Sequence, residues 1–324
     1  MKRSEITALC KTVFDAVPDY YEMPGGKTRK TIIIGFKADR FVLSNRKSAG
    51  RAALEAMVLG KLSVTGLVPQ LIYHKGSVLI QEYLHGQRLS EALEHGNAQA
   101  RQNLLHSATQ SLLELQIHAS KAGLSALAPP IGARPGWAQD FANTPDRLAR
   151  ALGLTCPQLD MQTILQSLSE PDPQFIKWDA RPGNAITHKG KIAWFDWEHA
   201  GCRSSVDDLV WLLADEWCPD DSFATNNALT KVAERAGQPI QDITRQFKTR
   251  AVLHSCVRLS LIFNRKGEGD WWNREMCLAK DKIGITAAHV DLLCTRAANW
   301  AIDVKALHPL IGLLHDINDH AGRL

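Results

Sequence analysis

The stretch from Phe175 to Leu209 reads FIKWDARPGNAITHKGKIAWFDWEHAGCRSSVDDL. Three polar side chains stand out in it: Asp179, then Asn184 five residues later, then Asp196 twelve residues after that. Asp and Asn oxygens are hard ligands suited to Mg²⁺, and a nearby free Asp can orient a hydroxyl nucleophile. This combination indicates metal-assisted phosphoryl transfer.

Two short apolar runs separate Asn184 from Asp196. Residues 185–186 and 192–195 flank a turn at 188–191, a pattern typical of a two-stranded hairpin. Such a hairpin holds the amide and the second carboxylate side by side. The first carboxylate then lies on the loop that leads into the hairpin.

The composition is typical of a soluble globular enzyme. The chain has 324 residues, 45% of them apolar and 22% charged, which allows one large domain or two smaller ones. A net charge of +4 from scattered Lys and Arg is too small to indicate a nucleic-acid partner. Seven widely spaced cysteines without a CxxC pair favour a reducing compartment over a disulfide framework. Because neither a signal peptide nor a membrane span is apparent, we expect a cytoplasmic protein with no membrane partner.

The first 85 residues predict a small antiparallel sheet with one helix. Apolar runs rich in β-branched residues indicate strands at 31–34, 41–43, 71–73 and 78–80. Ser48 is placed to cap a helix over 49–62 that carries an apolar stripe. Glu55 lies off this stripe, and we weigh a solvated role and a functional role for it equally.

A glycine-rich segment precedes the first of these strands. Gly26, Lys27 and Thr28 match the end of a phosphate-binding GxxxxGK[ST] loop, but its first glycine would fall at Tyr21. A strand also follows where that motif requires a helix, so we reject a P-loop. A turn that covers phosphate and an ordinary hairpin turn both remain open, and the hairpin turn is favoured.

The remainder of the chain is predicted to be mostly helical. Residues 81–86, QEYLHG, are polar, end in glycine and suit a hinge between two lobes. Residues 125–145 are rich in proline and predict a long loop. Helices are predicted at 99–122, 206–217, 225–236, 240–263 and 286–316.

With these segments assembled, the chain resembles the aminoglycoside phosphotransferase and choline kinase-like family. Residues 177–184, KWDARPGN, match the family loop H-G-D-x-x-P-G-N, and residues 194–198, WFDWE, match its metal-binding strand I-D-F/W-E. Residues 81–86 match the hinge E-Y-x-x-G, and Glu55 stands where the family helix carries an acid.

The resemblance implies an α+β fold with two lobes, like that of protein kinases. A small antiparallel-sheet lobe would occupy residues 1–85 and end in the hinge at 81–86. A mostly helical lobe would occupy residues 87–324. It would contain a catalytic loop at 177–184 and a metal-binding strand at 192–198.

The resemblance also implies the roles of individual residues. Asp179 would be the base that orients the substrate hydroxyl, and Asn184 and Asp196 would hold Mg²⁺ against the nucleotide phosphates. ATP would be the nucleotide, and its adenine would bind the hinge backbone at Gln81, Glu82, Tyr83 and Leu84. The acceptor would be a hydroxyl of a small molecule, with no protein partner.

Two positions depart from the family pattern. Lys177 replaces the loop histidine, which is chiefly a structural brace. Ser44 stands where the family has its phosphate-anchoring lysine. Because strand side chains alternate, Arg46 lies on the same face as Ser44, about 7 Å further along. We therefore expect Arg46 to pair with Glu55 and anchor the phosphates, with Lys47 and Lys37 as weaker alternatives.

Three other functions are considered. The serine at the lysine position motivates a catalytically silent pseudokinase that binds a nucleotide or a partner. A protein kinase is disfavoured because no A-P-E segment follows Asp196. A metal hydrolase using Glu198 and His199 lacks a second histidine motif.

Three further groups have both a structural and a functional interpretation. Ser205 and Asp208 fit a capping box, which we favour over a role for Asp208 in the site. The segment 268–273, with two tryptophans, either lines a substrate pocket or packs in the core. Four acids form either a surface for a cationic antibiotic or, preferably, a solvated helix end: Asp215, Glu216, Asp220 and Asp221.

Overall fold

The protein is described from a computed structural model that covers residues 1–24, 31–169, 172–279 and 283–324. The turn predicted at residues 26–28 lies outside the described residues. The strands are β1 Tyr20–Glu22, β2 Thr31–Phe36, β3 Asp39–Asn45, β4 Leu71–Lys75, β5 Val78–Glu82, β6 Gln87–Arg88, β7 Gln174–Ile176, β8 Ala185–His188, β9 Lys191–Trp194 and β10 Gly201–Arg203. The helices are α1 Arg3–Phe14, α2 Ala49–Leu62, α3 Leu89–His95, α4 Ala98–Lys121, α5 Trp137–Ala142, α6 Thr144–Ala151, α7 Met161–Ser167, α8 Asp207–Leu213, α9 Ser222–Ala236, α10 Ile240–Lys266, α11 Arg274–Ala279, α12 Ala287–Ile302 and α13 Leu310–Gly322.

The amino-terminal part is a five-stranded antiparallel sheet in the order β1-β2-β3-β5-β4. Its central strands are rich in Ile, Val and Leu, which suit a pleated surface that is buried against other elements. β2 pairs with β3 along its whole length, from Thr31 opposite Ser44 to Phe36 opposite Asp39. The sheet comes before most of the helices, as the expected α+β class requires.

Helix α2 packs on this sheet and begins where the sequence predicts. The Ser48 hydroxyl accepts a hydrogen bond from the Arg51 amide and caps the helix. Val58, Leu59 and neighbouring apolar side chains are buried. Glu55 is also completely buried, so the solvated interpretation of this side chain is wrong.

A second sheet, in the order β6-β8-β9, contains the predicted hairpin and one further strand that follows the hinge. Gly86 makes this connection possible, because a Cβ atom there would lie 1.8 Å from the Thr187 carbonyl oxygen. Between β8 and β9, Lys189 and Gly190 both have positive φ, as a tight two-residue hairpin turn requires.

The helical part surrounds the largest apolar core of the described residues, to which α4, α8, α10 and α12 all contribute. The helix predicted at 286–316 is wrong as a single element, because the chain breaks between α12 and α13 around Pro309. The segment 125–145 contains α5 and a bridge between Pro130 and Cys202, and is therefore not wholly a loop. Within the described ranges, no helix is long and apolar enough to cross a bilayer.

Candidate active site

The loop between β7 and β8 positions Asp179. The Asn184 amide nitrogen donates to both the Asp179 carbonyl and its Oδ2, each at 2.9 Å. Oδ1 of the same carboxylate lies 3.3 Å from Nε of Arg181. Both carboxylate oxygens are therefore oriented by neighbours, and about a quarter of the side chain remains exposed.

The backbone of this loop is strained at successive residues. Trp178 and Asp179 have φ values of +54° and +53°, and Asp196 has +62°. Asp tolerates the left-handed region better than most residues, but a bulky tryptophan is unusual there. The matching family motif has glycine at this position. Residues held in this region typically cost about 1–3 kcal/mol each and persist where surrounding contacts over-determine them.

Asp208 on α8 supplies such contacts. Its carboxylate accepts hydrogen bonds from the backbone amides of Lys177 (2.9 Å) and Trp178 (2.8 Å), and from the Gln116 side chain (3.1 Å). α8 begins after Val206 without a side-chain cap, so the proposed capping box is wrong. Asp208 instead ties the catalytic loop to the helical core. In the sequence, the position of Asp208 after Asp196 pointed to a role in the site, but the capping-box pattern at residues 205–208 was an available structural explanation.

Lys177 links the loop that carries Asp179 to the segment that carries Asp196. Its ammonium donates to the Asp196 carbonyl at 3.1 Å and lies 5.3 Å from the Trp197 ring centroid. Burial lowers the pKa of Lys177, and the charges of Asp179 and Asp196 oppose this effect. The lysine thus holds the strand that carries Asp196 against the loop that carries Asp179.

Arg46 joins the amino-terminal sheet to Asp196. Its guanidinium contacts Glu55 twice, with Nε to Oε2 at 2.5 Å and Nη2 to Oε1 at 2.6 Å. Its Nη1 lies 3.0 Å from Asp196 Oδ1 and 3.3 Å from Glu198 Oε1. Burial raises the pKa of Glu55, while Arg46 acts to lower it. The expected pairing of Arg46 with Glu55 is therefore present, and the same guanidinium also contacts two further acids.

Two of the charged residues around Arg46 were not assigned by the sequence. Glu198 was weighed only as part of a hydrolase, yet it contacts both Arg46 and Arg51. Nη1 of Arg51 lies 3.4 Å from Glu198 Oε2, and 41% of the Arg51 side chain is exposed. A cation at the first turn of α2 was a weak signal, because exposed helical arginines are common.

The predicted hinge follows β5 without interruption. Gln81 and Leu84 are buried, whereas Glu82 and Tyr83 are partly exposed. The side-chain oxygen of Gln81 is buried and accepts no hydrogen bond from the described residues. The Gln81 side-chain oxygen is therefore an open hydrogen-bond acceptor within the segment predicted to bind adenine.

The residues around Asp196 fit a magnesium ion. Asp196 Oδ1 is buried and accepts no hydrogen bond from a described residue, although the cationic Nη1 of Arg46 lies near it. The amide nitrogen of Asn184 is used by Asp179, which leaves its oxygen for a cation. Phe195 N donates to the Asn184 carbonyl and brings the two positions together. Mg²⁺ commonly takes one or two protein oxygens and completes its shell with phosphate and water.

The acids at positions 215–221, which could form an acidic surface on sequence grounds alone, do not form one. Asp215 and Glu216 are fully buried, so neither a cationic-substrate surface nor a solvated helix end describes them. Arg258 donates to both Glu216 oxygens at 2.6 and 2.8 Å. Burial and the neighbouring Glu216 raise the pKa of Asp215 to about 6. Asp221 caps α9 through the Ala224 amide.

The paired tryptophans at 271–272 pack in a small apolar cluster. They lie against Trp217, Cys277 and Ile285, and the Lys266 ammonium lies 5.1 Å from the Trp271 ring centroid. This arrangement supports the core-packing interpretation. A cavity of about 1000 Å³ between α4, α9 and α10 is lined by none of the predicted site residues.

Comparisons with known proteins concern the sequence family and the fold of the chain. The sequence profile of the phosphotransferase enzyme family, APH, matches residues 25–241. Among curated proteins, none matches the sequence significantly.

Several solved structures have a similar fold. A choline kinase from Cryptosporidium parvum has 12% identity and a TM-score of 0.58, over 97% of this chain and 100% of that one. The GDP complex of aminoglycoside 2'-phosphotransferase-IIIa has 17% identity and a TM-score of 0.56, over 92% and 99%. An amicoumacin kinase bound to AMP-PNP and Ca²⁺ has 13% identity and a TM-score of 0.58, over 88% and 95%. At these identities the likeness establishes the fold, and the expected two-lobed kinase-like fold class is confirmed.

Proposed function

Because the chain belongs to the APH phosphotransferase enzyme family, we propose that it transfers the terminal phosphoryl group of ATP to a hydroxyl of a small molecule. This proposal rests on one observation: the loop that carries Asp179 and the chain after β3, which carries Arg46, both reach Asp196 or its neighbours. Asn184 orients Asp179 in the catalytic loop, and Arg46 from the amino-terminal sheet contacts Asp196 beside it. Phosphoryl transfer needs positioning and charge neutralisation more than covalent chemistry, and this arrangement supplies both.

Each residue of the site has a defined part in the proposed reaction. Asp179 accepts a hydrogen bond from the acceptor hydroxyl, orients its oxygen for in-line attack and takes its proton. Asn184 and Asp196 hold Mg²⁺, which neutralises charge on the phosphate oxygens when it is bound. Arg46 directs positive charge at the same place, and Glu55 and Glu198 hold its guanidinium.

The base is tested by replacing Asp179 with Asn. Asn tolerates a left-handed backbone, so the fold and its melting temperature should be retained. Turnover should fall by about 10²–10⁴-fold, because the hydroxyl loses its proton acceptor. The measurement is ATP consumption with Mg²⁺ and a panel of aminoglycosides, amino alcohols, sugars and hydroxy acids. Near-normal turnover in this variant would remove Asp179 from the mechanism.

A catalytically silent nucleotide-binding protein is the second candidate function. It is favoured by Ser44 at the usual lysine position and by the full engagement of Arg46 with carboxylates. Thermal stabilisation by Mg-ATP distinguishes binding from turnover. Stabilisation without phosphate transfer to any acceptor of the panel, and without slow ATP hydrolysis, would favour this candidate.

A further inference from the structure

A small cavity adjoins the catalytic loop on its helical side. It has a volume of about 160 Å³, close to the roughly 150 Å³ of cavities that hold benzene. We name it the tryptophan pocket after the residues that define it, which are Trp137, Phe141, Trp178, Arg203, Trp211 and His254. All of its lining residues follow the hinge in sequence, so the pocket is separate from the proposed adenine site.

Aromatic rings form most of the pocket wall. The ring centroids of Trp178 and Trp211 are 5.2 Å apart, and those of Trp137 and Trp178 are 6.4 Å apart. The His254 ring meets Trp211 edge-on at 4.4 Å. Flat, partly exposed aromatic walls favour a planar or compact apolar occupant.

Two polar atoms in this wall lack partners. Nη2 of Arg203 and Nε2 of His254 are buried, and neither has a hydrogen-bond partner among the described residues. Both side chains are more than nine-tenths buried. Leaving a buried polar group unpaired is costly, so these atoms indicate a missing partner. For the guanidinium, that partner must be a hydrogen-bond acceptor.

The charge of the pocket also favours an acceptor over a cation. The only carboxylate among its lining residues, Asp207, is shared between Arg203 Nε at 2.7 Å and Arg250 Nε at 3.2 Å. This carboxylate is therefore already paired with guanidinium groups. Arg203 already occupies the face of Trp137, with its guanidinium carbon 3.9 Å from the ring centroid. A quaternary ammonium or a polyamine would meet the Arg203 guanidinium here and would offer it no hydrogen-bond acceptor.

The pocket shares one residue with the loop that carries the proposed base. Trp178, which forms one wall, is the residue before Asp179 and has the strained φ of +54° described above. On α10, His254 lies one turn before Arg258. Burial acts to lower the pKa of Arg258, but Glu216, Asp215 and, more weakly, Asp179 raise it. His254 and Arg258, four residues apart, lie on the same face of α10.

We propose that the tryptophan pocket binds the non-reacting end of the phosphate acceptor, and that this end is a planar ring carrying a carboxylate or carbonyl oxygen for Arg203. The inference rests on the proposed transfer to a small-molecule hydroxyl and narrows its acceptor class. Hydroxylated aromatic acids or amides fit the pocket, whereas aminoglycosides and amino alcohols do not.

Benzoate is the probe for this proposal, and benzylamine is its cationic counterpart. Benzoate should quench the tryptophan fluorescence of the full-length protein in a saturable way. Benzylamine should bind at least about tenfold more weakly, since a hydrogen bond between charged groups is replaced by repulsion. Equal binding of the two probes, or no saturable binding of benzoate, would overturn the proposal.

Two variants test the wall and the guanidinium separately. Trp178→Gly suits the left-handed backbone and removes one wall, and Arg203→Lys keeps the charge but loses the planar fork. Each should weaken benzoate binding by about tenfold or more while the melting transition stays cooperative. Trp271→Phe, a tryptophan change outside the pocket, should leave the affinity unchanged. Wild-type affinity in both pocket variants would contradict the assignment.

Thermal stabilisation by Mg-ATP, measured on the same preparation, separates this proposal from the proposed function. If ATP stabilises the protein and benzoate fails to bind, the pocket assignment is wrong and the phosphotransferase proposal stands. If benzoate binds and ATP does not, the ligand class stands while its role as acceptor fails. In the transfer assay, hydroxy-substituted benzoates should be phosphorylated and amino alcohols should not. The reverse preference would overturn the proposed acceptor class.

Discussion

At the scale of single residues, Arg46 connects the largest number of predicted site features. The sequence pointed to it only because the family lysine was missing at Ser44, and the structure places its guanidinium among three carboxylates. Its bidentate geometry with Glu55 is one that lysine cannot reproduce, because an ammonium lacks the planar fork. With arginine two residues after the family lysine position, the positive charge is oriented by two hydrogen bonds to Glu55.

Replacing Arg46 with Met should destabilise the protein strongly. Glu55 is completely buried and would lose its cationic partner among the described residues, so we expect a loss of about 3 kcal/mol in the free energy of unfolding. Urea denaturation at neutral pH measures this loss. Arg51→Met is the matched control, because its exposed contact with Glu198 should contribute less than about 1 kcal/mol. Similar losses of unfolding free energy in the two variants would show that Arg46 does not offset the cost of burying Glu55.

At the scale of elements, α8 and the catalytic loop form one unit. Asp208 at the start of α8 accepts hydrogen bonds from two consecutive amides of the loop, those of Lys177 and of Trp178, the first of two left-handed residues. Lys177 and the β8–β9 hairpin add contacts on the other side. The strained conformation of Trp178 and Asp179 persists because these elements hold it from two directions.

Replacing Asp208 with Asn distinguishes a loop brace from a helix cap. As caps, Asn and Asp are nearly equal, so a capping role predicts almost no change. As a brace, Asn would place an N–H donor against a backbone donor, and we expect a loss of about 1–3 kcal/mol in unfolding free energy. Urea denaturation gives the loss, and Asp220→Asn, a change at an exposed acid, is the control. An unchanged stability in the Asp208 variant would restore the capping interpretation.

At the scale of the whole molecule, the helical part buries ionisable groups that sense pH. Burial lowers the pKa of His254 to about 3 and that of His289 to about 4. Below pH 6.5 the unfolded chain binds a proton at each of these positions, and the folded chain does not. Stability from these histidines is therefore complete above pH 6.5 and is lost as the pH falls towards 4. Asp215, whose pKa is raised to about 6, acts in the opposite direction between about pH 6 and 4.

His289→Gln isolates one of these contributions. Relative to its own stability at pH 7.5, the variant should lose about 2 kcal/mol less than the wild type by pH 5, because it has no proton to take up on unfolding. Urea denaturation at a series of pH values measures the difference, with the exposed His315→Gln as control. Parallel pH profiles for the wild type and the His289 variant would contradict the assignment.

The sequence by itself determined the order and type of most elements. The cap at Ser48, the hairpin around Lys189 and Gly190, and the spacing of Asp179, Asn184 and Asp196 are local features, and local backbone preferences decide them. The fold class followed from these patterns and from the family resemblance. The break between α12 and α13 was missed because apolar periodicity continued across it.

Only the tertiary structure decided which charges are buried and with what partner. Glu55, Asp208, Asp215 and Glu216 all resemble ordinary surface acids in the sequence, yet each is buried beside a donor from a distant segment. A buried charge is tolerated only where such a donor meets it, and that meeting depends on how sheet, loop and helices pack together. The tryptophan pocket has the same origin, because its walls come from α5, the catalytic loop, β10, α8 and α10.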